Sequence, residues 1–145
     1  MKIRYNHRAI AFALMRIALG LNLFEHGFFR ILAGQGTFVR LMTAGMSKSP
    51  LPHSLLVSFG YCIPWIEVTL GCLLVAGLLT EPALAGGSLF MIALTFGTSS
   101  NQDWGTVGLQ LNYSVVFFIL LWLVEANSLS MDNWLKRGDN SHDAH

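Results

Sequence analysis

Residues 55–98, LLVSFGYCIPWIEVTLGCLLVAGLLTEPALAGGSLFMIALTFGT, form two apolar runs that are separated by the short turn TEP at 80–82. A helix needs about 20 residues to cross the hydrocarbon core of a bilayer, and each run is of that order. Proline suits the first turn of a helix, and so short a connection brings the second helix back alongside the first. The stretch therefore predicts a helical hairpin within a membrane, with spans at 55–79 and 82–98.

Two more apolar segments flank this hairpin, at 7–29 and 106–126. The whole chain is 53% hydrophobic and 12% charged, with a mean hydropathy of +0.52, which is too apolar for an ordinary soluble domain. The first segment resembles a signal peptide, but Arg16 lies in its middle and no cleavage pattern follows, so we expect it to be retained. We predict an all-α antiparallel bundle of four transmembrane helices over 1–134, followed by a polar tail at 135–145.

The long connection at 30–54 predicts a further short helix. In its segment TFVRLMTAGM, the side chains of Phe38, Leu41, Met42 and Gly45 fall on one helical face. This pattern is typical of a helix that lies at the membrane surface. The following SKSPLPH contains two prolines, which end the helix and let the chain turn back into the bilayer.

Basic residues indicate the orientation of the bundle. The two ends of the chain carry five basic residues and the long connection carries three. These are Lys2, Arg4, Arg8, Lys136 and Arg137 at the ends, and Arg30, Arg40 and Lys48 in the connection. The positive-inside rule then favours both termini in the cytoplasm, with the long connection and the SSNQDWG turn on the outer side. We expect the protein in the bacterial inner membrane.

Two charged residues lie inside the apolar spans. Arg16 is near the middle of the first span and Glu67 near the middle of the second. An arginine at that depth costs about 2.5 to 3.5 kcal/mol on insertion scales, so it needs a partner. Antiparallel packing predicts a buried Arg16–Glu67 ion pair. Two interpretations stay open: the charged floor of a cavity for a ligand or a proton, or a lock that fixes helix register.

Further polar residues lie near the outer ends of the spans. His26 and Arg30 share the helical face of Arg16 and are candidates for the mouth of the same cavity, although a histidine there can also serve structure alone. Gln110 and Tyr113 share a face of the fourth span, and Gln102 precedes them in the outer turn. Amides within lipid need partners, so these side chains either face the cavity or bond neighbouring helices.

Several classes of function are excluded. The net charge of +1 provides no basic surface for nucleic acid. Cys62 and Cys72 are about 15 Å apart along one predicted helix, which is too far for a disulfide between them. The chain has no HExxH, CxxC, phosphate-binding or dinucleotide motif, and only His26 lies at membrane depth as a haem ligand. We therefore expect neither metal nor haem bound by this chain alone.

The segments RIALGLNLFEHGFFRIL at 16–32, WIEVTLGCLLVAGLLTEPALAGGSLFMIALTFG at 65–97 and SLSMDNWL at 128–135 together resemble the DoxX family of small four-helix membrane proteins. The resemblance covers nearly the whole chain. It implies a membrane subunit associated with redox processes, since the family is named after a subunit of a thiosulfate:quinone oxidoreductase. The shared polar positions would be Arg16, His26, Arg30 and Glu67.

The leading hypothesis is accordingly a quinone-interacting oxidoreductase subunit that lies in the lipid bilayer with partner proteins. The candidate catalytic residues are Glu67 and His26, and the candidate quinone-binding residues are Arg16, Arg30, Tyr61, Trp65, Gln102, Gln110 and Tyr113. The alternative is a non-catalytic membrane anchor or assembly subunit for a partner protein. Transport of a small molecule is a third hypothesis, disfavoured because the spans show no broken helices or inverted repeat.

Overall fold

The computed structural model describes residues 7–135, which contain five α-helices and no strand. The helices are α1 (His7–Leu32), α2 (Gln35–Gly45), α3 (His53–Ala76), α4 (Thr80–Ser100) and α5 (Trp104–Trp122), followed by a 3₁₀ turn at Val124–Ala126. All but α2 are long and apolar enough to cross a membrane. The prediction of an all-α chain with four such helices is thus confirmed for this part of the chain. The predicted polar tail, apart from Leu135, lies outside the described residues.

Helices α1 and α3 pack with their backbones in direct contact. A Cβ atom on Gly20 would lie 3.0 Å from the Gly71 carbonyl oxygen, and one on Gly27 would lie 2.4 Å from that of Pro64. Small residues at such positions let transmembrane helices approach closely. Contacting residue numbers rise along α1 as they fall along α3, so the two helices run in opposite directions.

Helices α4 and α5 form the second closely packed pair. Gly87 of α4 makes room for the fully buried ring of Phe117, from which an added Cβ atom would be only 2.2 Å away. Farther along, the Thr98 hydroxyl donates to Oε1 of Gln110 at 2.6 Å. These contacts also place the two helices in opposite directions, and together the four long helices enclose an apolar core.

The short helix α2 packs on α3 near the N-terminal end of that helix. Val39 is buried against Gly60, whereas Leu41 is 65% exposed. The apolar face that contacts the core is therefore centred on Val39, with Phe38 and Met42 at its sides. A helix in the long connection is present, as predicted; its location at a membrane surface stays a prediction.

The turn between α3 and α4 is closed by hydrogen bonds at both helix ends. The N–H of Leu78 donates to the Leu73 carbonyl at 3.0 Å, which is the Schellman pattern, and Gly77 adopts the left-handed conformation with φ of 67°. Asp132 accepts from the N–H of Leu79, the residue just before α4, at 2.7 Å and from that of Thr80, its first residue, at 2.8 Å. The short connection is present as predicted, but it lies at 77–79, and the TEP segment at 80–82 forms the first turn of α4.

At the opposite end of the molecule, the other two connections meet. The Asn101 side chain accepts from the Lys48 N–H and donates to the Gly45 carbonyl, both at 3.0 Å. The α4–α5 turn and the α2–α3 connection therefore lie together, as expected if both face the same side of a membrane.

The first turn of α5 provides a test of pH dependence. Asp103 accepts from the N–H of Thr106 at 3.2 Å and from its hydroxyl at 2.6 Å, and these bonds lower the pKa of the Asp103 carboxyl below its ordinary value. A carboxyl whose pKa is lower in the folded state stabilises the fold above its ordinary pKa. This contribution is lost as the pH falls below about 4, through the folded-state pKa.

We expect Thr106→Val to remove the hydroxyl donor and raise the pKa of Asp103 towards its ordinary value. The side-chain carboxyl resonance of Asp103, followed by NMR during an acid titration in detergent, measures this shift. Thr37→Val, at an exposed threonine of α2, serves as the control and should leave the titration unchanged. An identical Asp103 titration in both variants would contradict the assignment.

Candidate functional site

A buried ion pair joins the end of α1 to the middle of α3. Glu67 is 5% exposed, and its Oε1 accepts from Nη1 of Arg30, whose side chain is 29% exposed. The Arg30 guanidinium carbon also lies 4.6 Å from the centroid of the Phe38 ring, in the geometry of a cation–π contact. Helix α2 thus holds the cation from one side and α3 from the other. Oε2 of Glu67 is buried and has no hydrogen-bond partner among residues 7–135.

This ion pair forms part of the wall of a cavity of about 460 Å³, which we call the central cavity. Its lining comes from α1, α2, α3, α4, α5 and the connections at that end, and it is mostly apolar. Leu56, Phe59, Ile63 and Leu94 are among the apolar residues that line it. The volume falls within the range of about 300 to 1,000 Å³ that small-molecule sites occupy.

Gln110 contributes a second polar group to the central cavity. Its Oε1 accepts from the Thr98 hydroxyl, and both residues line the cavity. Within residues 7–135 no further hydrogen bond of this amide is found, so its N–H groups are left as donors. Gln110 and Glu67 therefore place a donor and an acceptor on the wall of one apolar space.

A second cavity, of about 450 Å³, lies on the other side of Arg30, and we call it the side cavity. His26, Glu25 and Asn22 line it, and Arg30 and Phe38 border both cavities. His26 is exposed but close enough to Glu67 for an electrostatic interaction with its carboxylate. The side cavity thus brings a titratable ring near the buried ion pair from the outside of the bundle.

Arg16 lies elsewhere, so the prediction of an Arg16–Glu67 ion pair is wrong, although both residues are buried as expected. The Arg16 guanidinium donates to the carbonyls of Leu74, Val75 at 3.2 Å and Leu129 at 3.0 Å. It also interacts electrostatically with Asp132. The arginine thereby ties the C-terminal end of α3 to the segment at 127–132 instead of pairing with Glu67.

The register between α1 and α3 explains this correction. Gly20 lies against Gly71, so residue 16 lies beside residue 75. Glu67 is four residues before Gly71 and therefore lies beside residue 24, eight residues beyond Arg16. Eight residues correspond to about 12 Å along a helix. The prediction aligned the midpoints of the two spans, whereas the contacts between small residues set the actual depth.

The other predicted site residues are divided between the cavities and the surface. Tyr113 donates its hydroxyl to Asn22 at 2.8 Å and so joins α5 to α1 beside the side cavity. Tyr61 and Trp65 are 44% and 56% exposed, and neither lines the central or the side cavity. Gln102 is exposed, in the left-handed conformation with φ of 60°, and lines neither cavity.

Two aromatic side chains of the site are not among the residues that the sequence predicts for it. Phe38 covers the Arg30 cation and Phe59 lines the central cavity. The sequence does contain a signal for Phe38, because it belongs to the apolar face predicted for the short helix. For Phe59 no such signal exists, since α3 is apolar around most of its circumference.

Among residues 7–135, no group of three or more His, Cys, Asp or Glu side chains is placed to hold a metal ion. A scan against models of protein families, a search of curated proteins and a search of solved structures each find no match to this chain.

Proposed function

We propose that the protein is an integral membrane subunit of a redox complex, similar to the DoxX family, and that it binds a quinone in the central cavity. The observation that carries this proposal is the combination of an apolar cavity with a buried Arg30–Glu67 pair in its wall. An apolar ring and tail fit the lining, and a head group with two oxygens fits the polar groups. Ligand sites commonly combine apolar walls with a few placed polar groups in this way.

In this proposal the four long helices cross the bacterial inner membrane as an antiparallel bundle, α2 lies at the outer surface, and both termini are cytoplasmic. Two observations support the arrangement. The two connections that hydrogen-bond through Asn101 lie at one end. The three segments that carry the family resemblance meet at the other end. There the Arg16 guanidinium donates to the carbonyls of Leu74 and Leu129, and Asp132 accepts from the N–H of Leu79.

The residues have separate roles in the proposal. Arg30 and Gln110 donate hydrogen bonds to the quinone oxygens, and Glu67 holds a proton during reduction or oxidation of the head group. His26, in the side cavity, passes the proton between the ion pair and the surface. Arg16 takes no part in ligand binding, because its guanidinium donates to the carbonyls of α3 and Leu129. Arg16 also lies about 12 Å along α1 from the level of Glu67. A partner protein supplies the two electrons when the quinone is reduced and takes them up when the quinol is oxidised.

A cavity-filling substitution tests the quinone site. Gly97 lines the central cavity, and a Cβ atom added there would meet only the flexible end of Met46, at 3.8 Å. We expect Gly97→Leu to occupy part of the cavity and to weaken binding of a short-tailed benzoquinone at least tenfold. Equilibrium dialysis with the purified protein in detergent measures the affinity.

Gly86→Leu is the matched control. Gly86 lies on the same helix with open space around its Cβ position, and it does not line the cavity. Both substitutions gain the same helix propensity, about 1 kcal/mol, so stability alone cannot separate them. Equal quinone affinity in the two variants would refute the proposed site.

Stoichiometric co-purification of a cofactor-bearing partner, with no quinone bound, would instead favour the membrane anchor. Flux of a solute through liposomes would favour transport.

A further inference from the structure

The second carboxylate oxygen of Glu67 is an acceptor that the described residues leave unused. Oε1 accepts from Arg30, whereas Oε2 has no hydrogen-bond partner within residues 7–135, and the residue is 5% exposed. A buried acceptor that has lost its water without gaining a donor is unfavourable, so such atoms are normally satisfied. Glu67 lines the central cavity, and a small rotation of its carboxylate would bring Oε2 to a ligand bound there, which could supply the missing donor.

Charge restricts the chemistry of that ligand. The Arg30–Glu67 pair is neutral as a whole, so the cavity holds no excess positive charge for an acidic head group. An anion placed against Glu67 would face a carboxylate at short range, in surroundings that screen charge poorly. A paired carboxylate accepts hydrogen bonds and donates none. The site therefore fits an uncharged amphiphile that carries a hydroxyl group.

Gln110 adds the complementary requirement. Its Oε1 accepts from Thr98 at 2.6 Å, and its amide N–H groups have no partner within residues 7–135, so they are available to a ligand as donors. A ligand that satisfies both residues must donate at one oxygen and accept at another. The hydroxyl groups of a benzoquinol do both, whereas the oxygens of a benzoquinone only accept.

We infer that the central cavity selects the reduced quinol over the quinone, through a quinol hydroxyl that donates to Oε2 of Glu67. This inference rests on the proposed quinone site and names the redox form that the site prefers. Selective binding of the reduced form makes the bound couple easier to reduce than the free couple. A tenfold preference for the quinol raises the two-electron potential of the bound couple by about 30 mV.

Four ligands of similar size test the inference on the full-length protein in detergent, under anaerobic conditions. They are a short-tailed benzoquinol, the matching benzoquinone, the dimethyl ether of the quinol and a long-chain alcohol. We expect the quinol to bind at least ten times more tightly than each of the others. The ether keeps both oxygens but has no donor, and the alcohol has a donor but no ring or second oxygen.

Two variants separate the roles of the polar groups. Glu67→Gln removes the carboxylate, so the ratio of quinol to quinone affinity should fall to within about threefold of unity. Gln110→Leu removes a donor to an oxygen that the quinol, the quinone and the ether all possess, so it should weaken all three alike and leave the ratio unchanged. Glu125→Gln, at an exposed carboxylate outside the central cavity, should change nothing.

The outcomes distinguish this inference from the proposed function. Equal binding of quinol, quinone and ether by the unaltered protein would overturn the inference and leave the quinone site intact. An alcohol that binds as tightly as the quinol would show that the cavity recognises any lipid hydroxyl, and would overturn both the inference and the quinone site. Failure of all four ligands to bind would also overturn both. The comparison with unaltered protein requires no variant to fold. A quinol preference that persists in Glu67→Gln would assign the selectivity to another group.

Discussion

Alanine in place of Gly27 is expected to separate α1 from α3. The added Cβ atom would lie 2.4 Å from the carbonyl oxygen of Pro64 and 2.8 Å from the backbone nitrogen of Val68. These are backbone atoms of a helix, which cannot rotate away as a flexible side chain can. Over-packing of this kind costs about 1 to 3 kcal/mol and sometimes more, so we expect a loss of about 3 kcal/mol in the free energy of unfolding.

Gly86→Ala is the control for this prediction, because nothing lies within 4 Å of its Cβ position. That substitution should stabilise the protein slightly, by up to about 1 kcal/mol, through helix propensity. Reversible unfolding in mixed micelles measures both variants. We also expect Gly27→Ala to weaken quinol binding, since Arg30 lies one turn farther along α1. Equal unfolding midpoints for the two variants would show that α1 and α3 are not in backbone contact.

Replacing Arg16 with methionine is expected to have a comparably large effect at the opposite end of the bundle. The Arg16 guanidinium donates to carbonyls of Leu74, Val75 and Leu129, and methionine keeps an unbranched apolar stem but has no donors. Removing one partner from a buried charged network costs about 3 to 5 kcal/mol. We expect a loss of about 3 kcal/mol, with faster amide exchange at 127–132.

Arg40→Met is the matched control, because Arg40 is exposed on α2, and its effect should stay within about 0.5 kcal/mol. The fraction of Arg16→Met that remains folded should bind quinol with unchanged affinity, since the central cavity does not include this residue. Unchanged stability together with lost ligand binding would reverse this assignment and return Arg16 to the ligand site.

Much of the architecture could be predicted from apolar periodicity and length alone. The four long helices, the α3–α4 turn and the burial of Arg16 and Glu67 all follow from patterns within single segments. These features depend on local composition and on the cost of placing charge in lipid. Arg30, Glu67 and Gln110 were also among the candidate site residues, and the structure brings them to one cavity.

The pairing of charges could not be obtained in this way, because it depends on the register between helices. The midpoint of an apolar run is a poor guide to depth, whereas a glycine that must contact another backbone determines depth directly. Matching Gly20 with Gly71 places Glu67 beside residue 24, eight residues from Arg16 and six from Arg30. This register excludes the pair with Arg16 and leaves Arg30 as the nearer arginine of α1. The contacts of Arg16 with the 127–132 segment could not be predicted for another reason. Residues 127–130 are irregular and have no periodicity from which a contact could be inferred.

The position of Leu129 has a consequence for biogenesis. Arg16 belongs to the first helix, yet one of its carbonyl partners and the cap of α4 come from residues 129 and 132, more than a hundred positions later. In the proposed membrane bundle, α1 would therefore be inserted with its cation incompletely satisfied. A nascent chain in that bundle would keep this arginine near water, lipid head groups or an insertase until the segment with Leu129 has been made.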